Sequence, residues 1–295
     1  MRGGFRPLSK LTLRVENSAV RLGISGRETK LEERVGSNSA SLSKSDSGEL
    51  NSESKDNGDR SVGDGIYAVN AGWSFSGDTV KTFQPHVERS VPFYREAQNL
   101  VAQISDFYIR DDSYVYDIGT SLGATLGALL DRHRDRSDVR WTGIDTEIDM
   151  VAAAHERFAE YRNVAIVQSD ISEYHFEPSD MIVSFYTLQF VPPKYRQDVL
   201  HKIYSALNWG GAFVWFEKVR APDARFQDIN TALYNDYKLE NGFSPDEIIG
   251  KSRSLKGVLE PFSTGANMDL LHRAGFEDVV TVFKYLCFEG YLAVK

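Results

Sequence analysis

The chain has 295 residues, 41% hydrophobic and 12% aromatic, enough to build a sizeable core. It carries 34 basic and 42 acidic side chains, a net charge of −8, which argues against direct nucleic-acid binding. A single cysteine, Cys287, excludes an internal disulfide framework and a thiolate zinc cluster, and no apolar run is long enough to span a membrane.

Charge and aromatic content divide the chain. Residues 1–65 net +1, whereas residues 66–295 net −9. No aromatic residue lies between Phe5 and Tyr67, and from Gly36 to Gly65 the chain is mainly Ser, Gly, Asn and charge. Such a stretch buries too little apolar surface to offset its ordering entropy. Residues 1–65 therefore read as a disordered low-complexity tail, and residues 66–295 as the folded body. The cysteine count indicates a reducing compartment, the cytoplasm. The first thirty residues are rich in arginine and lysine, so an organelle transit peptide is the alternative.

Along the body, the apolar spacing over residues 85–109 predicts helix, interrupted or started at Pro92. Strand and helix then alternate. Tyr114–Ile118 reads as a buried strand and Leu122–His133 as a helix. Trp141–Asp145 is a strand, Met150–Tyr161 a helix, and Ala165–Gln168 a short strand. Asp180–Phe185 is a strand, Pro193–Leu207 a helix, and Ala212–Glu217 a strand after a turn at Asn208–Gly211. Met268–Ala274 is a helix stopped by Gly275, and Val279–Phe283 and Gly290–Val294 are antiparallel strands. This rhythm predicts an α/β fold, a Rossmann-like, mainly parallel seven-stranded sheet with an antiparallel last strand. Residues 66–110 read as a helical N-terminal cover and residues 223–262 as a lid insert.

The first strand runs into Asp117-Ile118-Gly119-Thr120-Ser121-Leu122-Gly123. Glycines at 119 and 123 permit a tight turn and close approach of backbone to a ligand. The spacing is neither the dinucleotide Gly-x-Gly-x-x-Gly nor a P-loop. Strand two ends at Asp145, followed by Thr146; the carboxylate suits two ribose hydroxyls or caps the next helix. After strand three come Asp170 and Ile171, an acid and an apolar side chain suited to an adenine amino group and ring face. In this order the three elements resemble S-adenosylmethionine (SAM) binding in the class I methyltransferase fold, which implies a SAM-binding methyltransferase-like domain. No histidine and carboxylate spacing forms a metal site.

Several motifs are more specific. Arg89-Ser90-Val91-Pro92-x-Tyr94, Tyr116-Asp117-x-Gly119-x-Ser121-Leu122-Gly123, Thr187-Leu188-Gln189-Phe190, Lys202-Ile203-Tyr204, Glu217-Lys218, Asn241-Gly242 and Lys251-x-Arg253-Ser254 stand in order along the chain. Over about residues 72–295 they resemble the carboxy-S-adenosyl-L-methionine synthase family, which serves bacterial wobble-uridine modification of tRNA. In that family a SAM methyl carbon is deprotonated and captures carbon dioxide released from prephenate. The resemblance implies that Tyr94 lines the SAM site, that Arg253 faces a carboxylate, and that the protein is a homodimer or larger. For Tyr94 the alternative is core packing; for Arg253 it is a surface ion pair.

This sequence departs from the family pattern. Phe185 stands for Asn, Phe216 for Ser, Phe93 for Gly, Thr120 for Cys and Tyr186 for Phe. Two polar positions at strand ends four and five have become aromatic. A sulfonium is held by aromatic faces through cation–π attraction worth roughly 0.5–2 kcal/mol, whereas a dicarboxylate loses polar partners. The candidate reacting-centre residues are thus Tyr186, Phe185, Arg253 and Tyr94, with Phe216 as wall or core. Asp117, Gly119, Thr120, Ser121, Gly123, Asp145, Thr146, Asp170, Ile171, Phe185 and Arg253 are the candidate SAM contacts. Glu217, His155 and Asp149 are further polar candidates.

Chemistry at the sulfonium of SAM itself has two versions. One is carboxy-SAM synthesis. The other is cyclisation, in which the α-amine displaces methylthioadenosine to form azetidine-2-carboxylic acid. Methyl transfer to a small molecule is a different reaction, with Tyr234, Tyr237, Phe243 and Phe262 available to a planar acceptor. A non-catalytic SAM-binding module is a third class. The enzyme readings expect a small-molecule substrate and a role in small-molecule biosynthesis.

Overall fold

A computed structural model describes residues 60–77 and 79–295. The disordered-tail and transit-peptide readings for residues 1–59 lie outside these. Residues 60–65 correct the boundary. Strand β1 (Arg60–Gly63) pairs antiparallel with β2 (Ile66–Ala68), and Val62 is fully buried. The body therefore starts six residues earlier than composition indicates.

Helix α1 (Thr79–Ser90) accommodates Pro85, and α2 (Tyr94–Ser105) follows a break at Pro92. Pro92 cannot donate the N–H that one continuous helix needs. The alternation comes next: β3 (Tyr114–Ile118), α3 (Ala124–Arg132), β4 (Arg140–Asp145), α4 (Ile148–Arg157), β5 (Val164–Gln168) and β6 (Ser179–Phe185). Helix α5 (Pro193–Ala206) leads to the long β7 (Leu207–Lys218). Asn208–Gly211, expected as a turn, is extended and bulges out of register where Ser179 faces Leu207 but Met181 faces Ala212. Helices α6 (Ala224–Glu240) and α7 (Pro245–Ser254) form the insert; α8 (Thr264–Ala274), β8 (Asp278–Tyr285) and β9 (Phe288–Val294) complete the fold.

The seven strands lie in the order β5-β4-β3-β6-β7-β9-β8. All pairings from β5 to β7 are parallel, and β9 runs antiparallel to both β7 and β8. Period-two alternation makes two cores. Val115, Val183 and Val214 face one layer with Leu126, Trp141 and Val101, while Tyr116, Ile182 and Trp215 face the other with Leu200, Leu271 and Phe276. Chain order reverses between β3 and β6, so a crevice opens beyond the carboxyl ends of these strands, where α/β sheets bind ligands.

Candidate functional site

A cavity of about 510 Å³ occupies that crevice. Its lining includes Gly119, Thr120 and Ser121 after β3, Asp145 and Thr146 after β4, Asp170 and Ile171 after β5, and Phe185 and Tyr186 after β6. Four strand ends thus bring nine of the thirteen candidate residues together, and Tyr94 from α2 joins them. The volume lies within the range of small-molecule and cofactor sites.

The loop after β3 is held by a few specific contacts. Gly119 has φ +69 and Ser121 φ +49. A Cβ on Gly119 would run into the Thr187 side chain, so only glycine fits. Gly119→Ala is expected to lower both the melting temperature and SAM affinity, read by a thermal shift with and without SAM; an unchanged shift would refute the close approach. The Asp145 Oδ2 accepts the Ser121 N–H at 2.8 Å and its Oδ1 accepts the Glu147 N–H at 3.0 Å. Burial raises the Asp145 pKa above its ordinary value. A carboxylate has about four acceptor sites, so two stay available to ribose hydroxyls. Asp170 turns its Oδ1 to the Ser172 N–H at 2.8 Å.

Three candidates stand behind the lining. Asp117 is buried and accepts the Thr120 hydroxyl at 2.8 Å, and burial pushes its pKa up to about 7. Gly123 packs on the Phe158 ring. Arg253 is exposed on α7 and outside the lining; its carbonyl accepts the Ala71 N–H at 3.0 Å. The structure thus does not bring Arg253 to the other candidate residues on the cavity wall. Phe216 is core, fully buried against Gly290 and Phe283, and is no part of the cavity wall. Glu217 is buried and accepts the Gln189 N–H at 3.2 Å, while burial pushes its pKa to about 8. Asp149 holds the Gly77 N–H at 2.9 Å, and His155 is exposed.

The far end of the cavity is aromatic. Tyr94 and Phe185 are 5.2 Å apart between ring centroids, Phe185 and Tyr186 4.8 Å, and Tyr186 and Phe288 5.8 Å. Tyr186 has φ +59, a conformation costing a side-chain-bearing residue roughly 1–3 kcal/mol. Its hydroxyl is buried without a hydrogen-bond partner among the described residues. Burial raises the Tyr94 and Tyr186 phenol pKa values, so both stay neutral. Of the insert aromatics only Tyr234 reaches this lining; Phe243 packs on His86, Phe262 meets Arg196, and Tyr237 lies on a separate groove with Phe93 and Tyr285.

Three lysines meet at the same end. Lys218 at the end of β7 and Lys238 on α6 stand 4.5 and 4.4 Å from the centroid of the Tyr234 ring. Lys251 on α7 lies over the Trp73 ring, and both Lys218 and Lys251 line the cavity. None is ion-paired with a carboxylate among the described residues. Burial first, then mutual repulsion, lowers the Lys238 pKa to about 8 and holds that of Lys251 well below the ordinary value. Burial lowers Lys218 as well. Helical spacing distinguishes Lys251 from Arg253: Lys251 is three residues after Ile248 and four before Leu255, on the inward stripe, while Arg253 projects away.

Beside Lys251 is a buried histidine. The His86 Nδ1 meets the Asp64 Oδ2 at 2.7 Å, and the Arg89 Nη1 donates to the Asp64 Oδ1 at 2.7 Å. The His86 Nε2 is buried with no partner among the described residues, and burial pushes its pKa down to about 4. Asp64 lies in the β1–β2 turn, within the segment composition assigned to the tail.

These contacts join the glycine loop after β3 to a charged aromatic chamber. A methyltransferase domain model matches residues 115–211. The carboxy-S-adenosyl-L-methionine synthase of Staphylococcus epidermidis is 37% identical over 224 residues, 76% of this chain and 97% of that protein. That of Chromohalobacter salexigens is 37% identical over 228 residues, 76% and 84% of the two chains. In fold, a Haemonchus contortus N-methyltransferase structure with bound S-adenosylhomocysteine superposes with a TM-score of 0.54 at 14% identity, covering 75% of this chain and 59% of that one. With a matching loop, sheet and full-length relatives, this chain belongs to the carboxy-S-adenosyl-L-methionine synthase family and is a SAM-dependent transferase on a Rossmann-like methyltransferase fold.

Proposed function

We propose that the chain makes carboxy-SAM, with SAM along the Gly119–Gly123 loop and a prephenate-type dicarboxylate at the lysine end of the cavity. The observation that carries this reading is the cluster of Lys218, Lys238 and Lys251. Buried cations without carboxylate partners are costly, and an anionic ligand relieves that cost. Phe185 lines the cavity where the family has Asn, and the charged end is supplied by lysines of β7, α6 and α7.

In this reading Asp145 takes the ribose hydroxyls, while Asp170 and Ile171 hold the adenine end. Tyr94, Phe185 and Tyr186 surround the sulfonium, whose charge their ring faces stabilise. The α6–α7 insert acts as a lid that keeps water from the reacting carbon. Prephenate breaks its ring–carboxylate and ring–hydroxyl bonds to give phenylpyruvate, carbon dioxide and hydroxide. The hydroxide takes a methyl proton from SAM as water, and the resulting carbanion attacks the carbon dioxide to form the new carbon–carbon bond. The aromatic walls also favour a second reading, cyclisation of SAM, because a folded conformer held close to attack geometry reacts faster.

Mass spectrometry of the full-length protein with SAM, with and without prephenate, separates the two. A SAM mass increased by a carboxyl group only with prephenate is the expected result. Methylthioadenosine with a four-carbon cyclic amino acid in the absence of prephenate would move the assignment to the cyclase. Unchanged SAM in both samples would sink both.

A further inference from the structure

We propose that Lys251 is a nucleophilic amine that condenses with the carbonyl of a 2-oxo acid bound in this cavity. The inference rests on the reading that the second substrate is of prephenate type, since such a molecule carries a 2-oxo acid side chain as well as its ring carboxylate.

The surroundings suit a nucleophilic lysine. A lysine attacks a carbonyl only as the free amine, and a dry pocket or a neighbouring cation provides that form at neutral pH. Lys251 has both. It is packed over the Trp73 ring, and Lys238 and Lys218 raise the cost of a third positive charge. Asp64 acts in the opposite sense on Lys251, but both of its oxygens are already engaged, one by His86 and one by Arg89. Lys218 and Lys238 remain as counter-charges for the two carboxylates.

His86 supplies the acid–base group that imine formation needs. It stacks on the same Trp73 ring at 5.9 Å between centroids and lines the same cavity. Because the Asp64 carboxylate accepts from Nδ1, the proton sits on that nitrogen and the Nε2 lone pair is free. The step balances without an oxidant. The Nζ lone pair attacks the carbonyl carbon, and the carbonyl π pair becomes a hydroxyl after protonation. The nitrogen loses a proton towards Nε2, the hydroxyl leaves as water, and a C=N bond forms. Hydrolysis reverses the step and frees the product. The tether fixes the 2-oxo acid at the lysine end and leaves the ring carboxylate directed towards the sulfonium.

The test is reductive trapping. Full-length protein is incubated with phenylpyruvate and cyanoborohydride, which converts an imine into a stable secondary amine. Intact mass and peptide mapping locate the adduct, and SAM binding by calorimetry confirms the fold of each variant. The expected result is one adduct on Lys251, at least about tenfold above any other lysine. It disappears in Lys251→Arg, which keeps a charge but lacks the nucleophile, and forms roughly tenfold more slowly in His86→Gln. No adduct on a protein that binds SAM would overturn the proposal, as would equal labelling of exposed lysines. Carboxy-SAM formation without an adduct would overturn the imine alone; an adduct without carboxy-SAM would overturn the reaction assigned above and leave the imine standing.

Discussion

Asp145→Ala is expected to weaken SAM binding by about 3 kcal/mol, roughly 150-fold in Kd. The carboxylate has two tasks. Its two oxygens accept the Ser121 and Glu147 N–H groups, which pins the loop after β3 and the approach to α4. Its remaining acceptor sites are assigned to the ribose. Alanine removes both tasks and leaves two backbone donors unpaired beside the cavity. Hydrogen bonds to a charged group contribute about 1.5–3 kcal/mol each, so the loss exceeds that of an ordinary polar contact. Asp145→Asn separates the tasks, since its amide oxygen still accepts one of the two N–H groups, and an intermediate affinity is expected. Calorimetry with SAM measures both, and a thermal melt checks that each variant folds. Unchanged affinity in Asp145→Ala would refute the ribose placement.

The place of Asp145 at the end of β4, on the cavity wall, was legible because its signal is local. A strand ending in an acid, after a glycine loop one βα unit earlier, is a statement about residues near in sequence. The central strands were legible for the same reason: β3, β4, β6 and the Ala212–Phe216 half of β7 are short, mainly apolar runs, as strands buried on both faces must be. Strand β1 was not, because its four residues follow a polar stretch that dominates any composition window, and its burial comes from pairing with β2 and packing on α7. Position 216, open between wall and core in the sequence, is decided by tertiary packing. Phe185 and Phe216 are direct partners across β6 and β7, yet only Phe185 reaches the cavity, while Phe216 is covered by β9 from far along the chain. The lysine cluster was partly legible. Lys218 and Lys251 stand in family motifs, and the Ile248, Lys251, Leu255 spacing marks the inward stripe of α7. Lys238 and the Asp64–His86 pair depend on tertiary packing alone, with no periodic or motif signal to announce them.

The same cluster sets the largest expected pH effect. Affinity for the dicarboxylate should fall as pH rises through about 8, where Lys238 loses its proton in the free protein. A bound dianion favours the charged amines, so binding takes up protons and becomes weaker as they are withdrawn. Stability moves the other way. The folded-state pKa of Lys238 lies below its value in the unfolded chain, so between about 8 and 10.5 the unfolded state binds more protons and stability rises with pH. Lys238→Met removes one buried charge. It is expected to raise KM for prephenate about 10–100-fold, to leave SAM affinity unchanged, and to raise the melting temperature at pH 7 while flattening its rise above pH 8. Melting curves across pH and steady-state rates of carboxy-SAM formation measure both effects. A variant that lost stability and kept its prephenate KM would mean that Lys238 is a packing residue, and the anion site would then have to be sought elsewhere in the cavity. The opposed slopes are what a binding site predicts: a group unfavourable to the empty protein is kept because the ligand needs its charge.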